Sequence, residues 1–141
     1  MMVERLRPSH EVVEHTSEIR LLLRAGSLGE LLAEAGRALA ELQLRGPPAP
    51  PDDDWRSIEV SAPDRAAVLA DWLNELVFQA ETGRWVATEF RVEQARETRV
   101  HARARGVKLD HVPGLVKAAT LHGLRVEEVP GGLEGEVVLD V

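Results

Sequence analysis

The chain has 141 residues, of which 44 % are hydrophobic and 29 % are charged, and its formal net charge is −7. This length and composition are typical of one folded domain and exclude the disordered and membrane-spanning classes, since no run of about 18 apolar residues occurs. The absence of cysteine excludes disulfides and thiolate metal ligands, and the negative charge argues against broad electrostatic binding of nucleic acid.

We expect a cytoplasmic protein that acts on a protein partner. The amino-terminal sequence MMVERLRPSHE lacks the apolar core of a signal peptide, and no membrane association is predicted. A negatively charged domain fits a protein partner better than a nucleic acid. Residues 1–141 are predicted to form a single compact domain.

The first predicted element is a strand within VVEHTSEIRLLL, residues 12–23. Its second half alternates apolar and polar residues, which is typical of a half-buried strand. Ahead of that alternation stand Glu14, His15, two hydroxyl side chains and Glu18. This concentration of polar groups before an apolar strand makes the segment the first candidate functional region.

A helix is predicted next, over SLGELLAEAGRALAELQLRG, residues 27–46. Ser27 and Glu30 have the spacing of a capping box, and Gly46 is expected to take the left-handed conformation that ends a helix. The apolar residues recur at the spacing of one buried stripe. These predicted core residues are Leu28, Leu31, Leu32, Ala35, Leu39 and Leu42.

The segment GPPAPPDDD, residues 46–54, follows this helix. Its prolines and acidic residues predict a surface loop. A calcium loop would need spaced ligands, a glycine turn and a distal glutamate, and this segment has none of them. We therefore interpret its three aspartates as solvated.

After a short predicted strand in WRSIEVSA, a second helix is predicted over SAPDRAAVLADWLNELVFQAETG, residues 61–83. Ser61 and Asp64 form its expected capping pair, and Gly83 is expected to end it. The segment DWLNEL combines core residues with a polar edge. The predicted core residues of this helix are Val68, Leu69, Trp72, Leu73, Leu76 and Val77.

Four further strands are predicted from β-branched or alternating segments separated by glycine and proline. Gly131 and Gly132 are expected to form a hairpin turn between the last two strands. The fold class is therefore α+β, with two helices packed on a largely antiparallel sheet. The four segments are WVATEFRVEQA, TRVHARARG, LVKAATLHGLRVEEV and LEGEVVLDV.

Basic residues recur at every second position in one of these strands. Arg99, His101, Arg103 and Arg105 are expected to share one strand face. We favour a solvated strand face or a protected sheet edge. The alternative is contact with a phosphate or with an acidic partner.

No motif in the sequence identifies an enzyme by itself. It has no glycine-rich phosphate loop, no histidine pair at the helical spacing of a metal site and no serine elbow. Among five scattered histidines, His15 and His122 are candidates for functional polar residues. Lys117 is a charge within the otherwise apolar stretch GLVKAATLHGL, so it must reach solvent or a partner.

Two acidic residues also stand out against apolar strands. Glu18 opens the alternating part of the first strand, and Asp140 lies in the last strand, next to Val141. If the two strands are neighbours, Glu18, Asp140 and the terminal carboxylate of Val141 converge as oxygen ligands suited to Mg²⁺, Ca²⁺ or Mn²⁺. The alternative is a carboxylate that is solvated or paired with Arg20 or Arg24.

Four segments resemble the archease family, in the order in which that family has them. EHTSE (14–18) is similar to its His-Thr-Ala-Asp motif, and DWLNEL (71–76) matches its second-helix signature. VKAATLHGL (116–124) resembles its Lys-Ala-x-Thr-x-His strand, and VVLDV (137–141) matches its carboxyl-terminal end. Each segment is short, but together they span nearly the whole chain.

The resemblance implies a small α+β protein that is not an enzyme but activates an RtcB-type RNA ligase. That ligase joins 2′,3′-cyclic-phosphate and 5′-hydroxyl RNA ends in tRNA splicing and RNA repair. It works through a guanylylated histidine with GTP and Mn²⁺, and the archease promotes guanylylation and repeated turnover. Whether RNA or GTP touches this protein directly is left open by the sequence.

The resemblance also implies a divalent-metal site in this chain. The ligands carried over are Glu18, Asp140 and the terminal carboxylate of Val141, with Lys117 and His15 nearby as functional polar residues. Glu18 stands where the family usually has aspartate, and its extra methylene lengthens the ligand arm by roughly 1.5 Å. We therefore expect a different metal preference or affinity.

Two other functions compete with this interpretation. One is a general chaperone or assembly modulator, a role also attached to the family, in which the sheet or the arginine-rich strand contacts varied clients. The other is an independent metal-dependent hydrolase. The hydrolase ranks last because the sequence offers no evident general base or nucleophile beside the predicted metal.

Overall fold

The computed structural model describes residues 3–14, 17–52 and 54–141. Within these ranges the chain forms seven strands and two helices, and no helix there has the length and apolar character needed to cross a membrane. In chain order the elements are β1 (Ser9–Glu14), β2 (Glu18–Ala25), α1 (Leu28–Leu44), β3 (Arg56–Ser61), α2 (Arg65–Gly83), β4 (Trp85–Ala95), β5 (Arg99–Lys108), β6 (Ala118–Val129) and β7 (Gly132–Asp140).

The strands form two antiparallel sheets. The first sheet has the order β1-β2-β7-β6, and the second has the order β3-β5-β4. Helix α1 packs on β4 and β2, and α2 packs on β6 and β4, so both helices contact both sheets. The predicted α+β class is confirmed. Both helices are buried on more than one side. Each apolar surface of a helix has to be covered, and here one sheet covers each of them.

The predicted helix cores are buried as expected. All six predicted core residues of α2 are buried. In α1 the predicted residues Leu28 and Leu42 are partly buried and pack against the core, and the other four are buried. One hydrophobic cluster includes residues of both helices and both sheets, so the strands that carry the candidate site are anchored on a common core.

The predicted start of α1 is confirmed, but its predicted end is off by one residue. The Ser27 hydroxyl accepts a hydrogen bond from the Glu30 amide at 3.2 Å, as an N-cap does. The left-handed residue is Arg45, with φ of 54°, and not Gly46. Gly46 precedes Pro47, and a residue before proline is restricted to extended conformations, which shifts the left-handed turn to Arg45.

Helix α2 begins and ends later than its sequence signals predicted. Asp64 is the N-cap and accepts a hydrogen bond from the Ala67 amide at 2.8 Å, so the prediction of Ser61 as the cap is wrong. Ser61 is held extended by its pairing with β5, which leaves Asp64 as the first acceptor free to cap. At the other end Gly83 remains helical, and Arg84 takes the left-handed conformation with φ of 51°.

The opening segment forms two strands where a single strand was predicted. β1 and β2 pair antiparallel, with Val12 opposite Leu21. β1 was missed because it lies at the sheet edge and its six residues include no fully buried side chain, so no clear alternation marks it. Two residues between the strands, including the candidate His15, lie outside the described residues.

The predicted hairpin turn between the last two strands is confirmed. Gly132 pairs with Val129 across the turn, and Gly131 has φ of 86°. A proline followed by a glycine with positive φ is characteristic of a type II turn, and Pro130 precedes Gly131 here. This turn sets the pairing of β7 with β6.

β6 departs from regular pairing near its middle. Its register with β7 passes from Thr120 opposite Val138 to Arg125 opposite Glu136, so β6 advances five residues while β7 advances two. Gly123, inside this bulge, has φ of 69°, a conformation that glycine adopts without steric cost. The bulge separates the motif-bearing start of β6 from its charged second half.

Candidate functional site

The structure brings Glu18 and Asp140 together. Glu18 of β2 lies directly opposite Asp140 of β7, and Ala118 of β6 lies opposite Asp140 on the other side. Directly opposite residues of antiparallel strands share a face of the sheet, with Cβ atoms about 5 Å apart. The two carboxylates therefore start from the same face at the same end of the first sheet.

Two further candidate residues join this end of the sheet through the backbone. The Lys117 amide donates to the Asp140 carbonyl at 2.8 Å, and the Val141 amide donates to the Ser17 carbonyl at 3.3 Å. Lys117 and Asp140 are exposed, whereas Glu18 and Val141 are half-buried. We call Glu18, Lys117, Asp140 and Val141 the acidic end of the first sheet.

The remaining candidate, His122, is not part of the acidic end. It is exposed and lies in the bulge of β6, whose residues 121–124 have no partner in register on β7. The same strand motif that places Lys117 beside Asp140 thus carries its histidine away from the acidic end. His15, the other histidine candidate, falls outside the described residues.

The acidic end has two of the carboxylates that a divalent-metal site would need. Glu18 and Asp140 offer two carboxylates of the kind that Mg²⁺, Ca²⁺ and Mn²⁺ prefer. Within residues 3–14, 17–52 and 54–141, no three His, Cys, Asp or Glu side chains are grouped closely enough to hold a metal. The pair fits as two ligands, and a complete site needs further oxygen ligands from elsewhere.

Neighbouring arginines pair with carboxylates other than those of the acidic end. Arg20 lies 3.4 Å from Glu136, and Arg24 lies 3.2 Å from Glu134. Arg125 donates to Glu134 at 2.9 Å, which lowers the pKa of Glu134 and raises that of Arg125. These groups line a cavity of about 460 Å³ on the outer face of the first sheet. The alternative drawn from the sequence paired Glu18 or Asp140 with Arg20 or Arg24. The structure instead pairs Arg20 with Glu136 and Arg24 with Glu134.

Asn74 is a positioning residue, which the sequence marks only as part of the polar edge of DWLNEL. Its side-chain nitrogen donates to the Ala119 carbonyl at 3.1 Å, and its oxygen accepts from the Ala119 amide at 2.8 Å. The amide of Asn74 therefore bonds to β6 as a neighbouring strand would, at the edge of the sheet. These two hydrogen bonds fix β6 at Ala119, two residues from Lys117. The signal in the sequence is an amide beside the apolar stripe of DWLNEL.

We expect Asn74→Ala to destabilise the protein by about 1–3 kcal/mol, because the Ala119 amide and carbonyl, which belong to a buried residue, would lose their partner. Urea unfolding measures the change, and hydrogen exchange of the Ala119 amide locates it. Gln79→Ala is the control, since the Gln79 side chain donates to Glu75 within α2. Equal stabilities of the two variants would contradict the assigned role.

His10 fastens β1 to α1 and was also missed. Its Nδ1 lies 2.6 Å from Glu34 and its Nε2 lies 3.1 Å from Glu41. Each ring nitrogen of His10 thus lies within hydrogen-bonding distance of a carboxylate oxygen on α1. Burial raises the pKa of Glu34, but hydrogen bonds from His10 and Arg37 outweigh this, and the pKa of Glu34 is lowered from its usual 4.5.

This lowered pKa makes a prediction for acid stability. Because the folded pKa of Glu34 is below the unfolded one, its contribution is fully present above about pH 4.5 and is lost as the pH falls through the folded pKa. We expect Glu34→Gln to lower the free energy of unfolding at about pH 6. Because glutamine does not titrate, the variant should lose less stability than the native protein when the pH falls from about 6 to about 3.5. Urea unfolding at both pH values measures this. A loss on acidification that is equal in both proteins would contradict the assignment.

The arginine-rich strand face is solvated and paired with its neighbours. β5 is the central strand of the second sheet, so the prediction of a protected edge is wrong, because β3 and β4 flank it on both sides. Arg103 lies 2.8 Å from Glu93, and Arg105 lies 2.9 Å from Glu89. The guanidinium groups of Arg91 and Arg105 lie over the Trp55 ring.

The comparisons with known sequences agree on one family. The model of the Archease protein family matches residues 10–141. The chain is 28 % identical over 142 residues to Protein archease of Methanosarcina mazei, covering 94 % of this chain and 95 % of that protein. It is 30 % identical over 140 residues to Protein archease of Methanopyrus kandleri, covering 93 % and 98 %.

Solved structures agree with the fold. The solution structure of a Methanobacterium thermoautotrophicum protein is similar with a TM-score of 0.75 and 25 % identity, covering 94 % of this chain and 98 % of that one. The crystal structure of a Thermotoga maritima archease, termed a "possible chaperone", has a TM-score of 0.58 and 21 % identity, covering 98 % of both chains. The second similarity is one of fold alone.

Proposed function

Because the chain belongs to the archease family, we propose that it is a non-enzymatic, cytoplasmic protein cofactor that activates an RtcB-type RNA ligase in tRNA splicing and RNA repair. The observation that carries the proposal is the register of Glu18 with Asp140, with the Lys117 backbone bonded to Asp140. These residues come from three motifs that are distant in the sequence, and they meet at one end of one sheet.

In the proposed function the acidic end docks beside the nucleotide pocket of the ligase. Glu18 and Asp140 supply two ligands for a divalent cation that is shared with the guanylylation site. The terminal carboxylate of Val141 supplies the third ligand. Such a cation, when bound, supplies charge neutralisation for a nucleoside triphosphate. The exposed ammonium of Lys117 offers a mobile positive charge to the same phosphates.

The overall charge supports a basic protein partner. The net charge of −7 and the exposed carboxylate of Asp140 favour a partner with a positive surface, as an RNA-binding ligase has. Complementary charge raises the association rate and orients the encounter. We therefore expect the complex with the ligase to weaken at high salt.

Multiple-turnover ligation tests the proposal. The cognate RtcB-type ligase is incubated with GTP, Mn²⁺ and an excess of RNA carrying 2′,3′-cyclic-phosphate and 5′-hydroxyl ends, with and without this protein. We expect product in excess of ligase only when the protein is present. Equal product without it contradicts the proposal. Suppressed aggregation of unrelated proteins in that case would favour the alternative function of a general chaperone or assembly modulator.

A further inference from the structure

A cavity of about 440 Å³ opens next to the acidic end, on the inner side of the first sheet. It lies between the start of β2, the last turn of α1 and the segment that leads into β6, and Val141 forms part of its wall. Its floor is apolar and consists of Ile19, Leu42 and Val116. Ile19 and Val116 are buried members of the main core, so the cavity reaches from the surface to the core.

Leu115 stands at the rim of this cavity with 61 % of its surface exposed. On its other side lies a second hollow, of about 40 Å³, lined by Val77 and Val112 among others. Leu115 therefore projects between two hollows, where the side chains of a partner could pack on both sides of it. A few well-packed, desolvated residues near the centre of an interface provide most of its binding energy.

The charged residues at the rim indicate which charge a molecule bound in this cavity carries beside its apolar group. Glu14 is exposed and the Glu41 side chain is 44 % exposed, and both line the cavity. Arg45 is the single cation among the described lining residues. A basic group is therefore favoured beside the cavity, and the phosphates of a nucleic acid are disfavoured.

We propose that this cavity seats an apolar side chain of a partner-protein segment in which that residue is flanked by lysine or arginine. The volume is in the range of pockets that bind small molecules and is ample for one large side chain. The floor binds the apolar group, Leu115 packs against the partner backbone, and Glu14 faces a flanking cation, while Glu41 is already bonded to His10. The inference rests on the proposed function only in taking the ligase as the protein that carries the segment.

Titration with synthetic peptides tests the chemistry of the occupant without the ligase. Three capped pentapeptides are compared, with a central leucine flanked by lysines, a central leucine flanked by glutamates, and a central alanine flanked by lysines. We expect shifts of the Ile19, Leu42, Val116 and Val141 backbone amide signals with the first peptide, at least tenfold weaker with the other two. No shift, or equal shifts with all three, would overturn the inference.

Leu115→Asp tests the same surface in the ligase assay. We expect the concentration of protein that gives half-maximal activation to rise at least tenfold, while Leu115→Met leaves it within about twofold. Leu121→Asp is the matched control, since Leu121 is 75 % exposed and lies in the β6 bulge. If the native chain activates the ligase and Leu115→Asp has the same concentration for half-maximal activation, the cavity inference alone is overturned. Absence of activation by the native chain, with peptide binding intact, would overturn only the proposed function.

Discussion

We expect Asp140→Asn and Glu18→Gln each to lower the proposed activation of the ligase by one to two orders of magnitude. Each change keeps the size of the side chain and removes its charge, so it removes a hard anionic ligand without creating a cavity. Asp140 is exposed and Glu18 is half-buried, so we expect both variants to remain folded. The measurement is the number of ligation turnovers per ligase at a saturating concentration of each variant, with thermal unfolding as the check on folding.

Two further variants separate a ligand role from general loss of charge. Glu128→Gln removes a carboxylate that is 81 % exposed near the other end of β6, and we expect full activation from it. Glu18→Asp shortens the ligand to the one the family usually has, and we expect retained activation with a changed preference between Ca²⁺ and Mn²⁺ in calorimetric titration. Full activation by both Asp140→Asn and Glu18→Gln would remove the acidic end from the mechanism.

The meeting of Glu18 with Asp140 shows what the sequence could predict of the site. Each residue is an acid in an apolar strand, a local pattern that marks it as a candidate. The pairing itself joins the first and last parts of the chain, and periodicity says nothing about which strands are neighbours. The family resemblance supplied that step, and the register confirmed it.

Asn74 and His10 show what the sequence could not predict. Both act through a pair of side-chain hydrogen bonds to a distant segment, Asn74 to the backbone of β6 and His10 to α1. Helical spacing identifies the buried face of a helix, but not the partner of a polar residue beside that face. The division of the strands into two sheets was missed for a related reason, because an apolar stripe does not reveal how many layers cover it.

Trp72→Ala destabilises the protein by about 3–5 kcal/mol, the largest stability change we expect from a single core substitution here. Trp72 is fully buried, and its ring lies 5.9 Å from that of Phe90 in a tilted contact. Its indole nitrogen donates to the Leu32 carbonyl at 2.9 Å, which joins α2 to α1. Alanine leaves a cavity between the helices and removes the indole hydrogen bond that the Leu32 carbonyl accepts from α2. Urea unfolding measures the change.

Trp72→Phe separates packing from hydrogen bonding at this position. Phenylalanine keeps an aromatic ring but cannot donate to the Leu32 carbonyl, so we expect a smaller loss, of about 1–3 kcal/mol. Trp72 is two residues from Asn74 in DWLNEL and is a fully buried member of the main core. Folded Trp72→Phe should therefore activate the ligase fully at low temperature, whereas Asp140→Asn should not. Loss of activation in folded Trp72→Phe would place this segment of α2 in the partner interface and contradict a purely structural role.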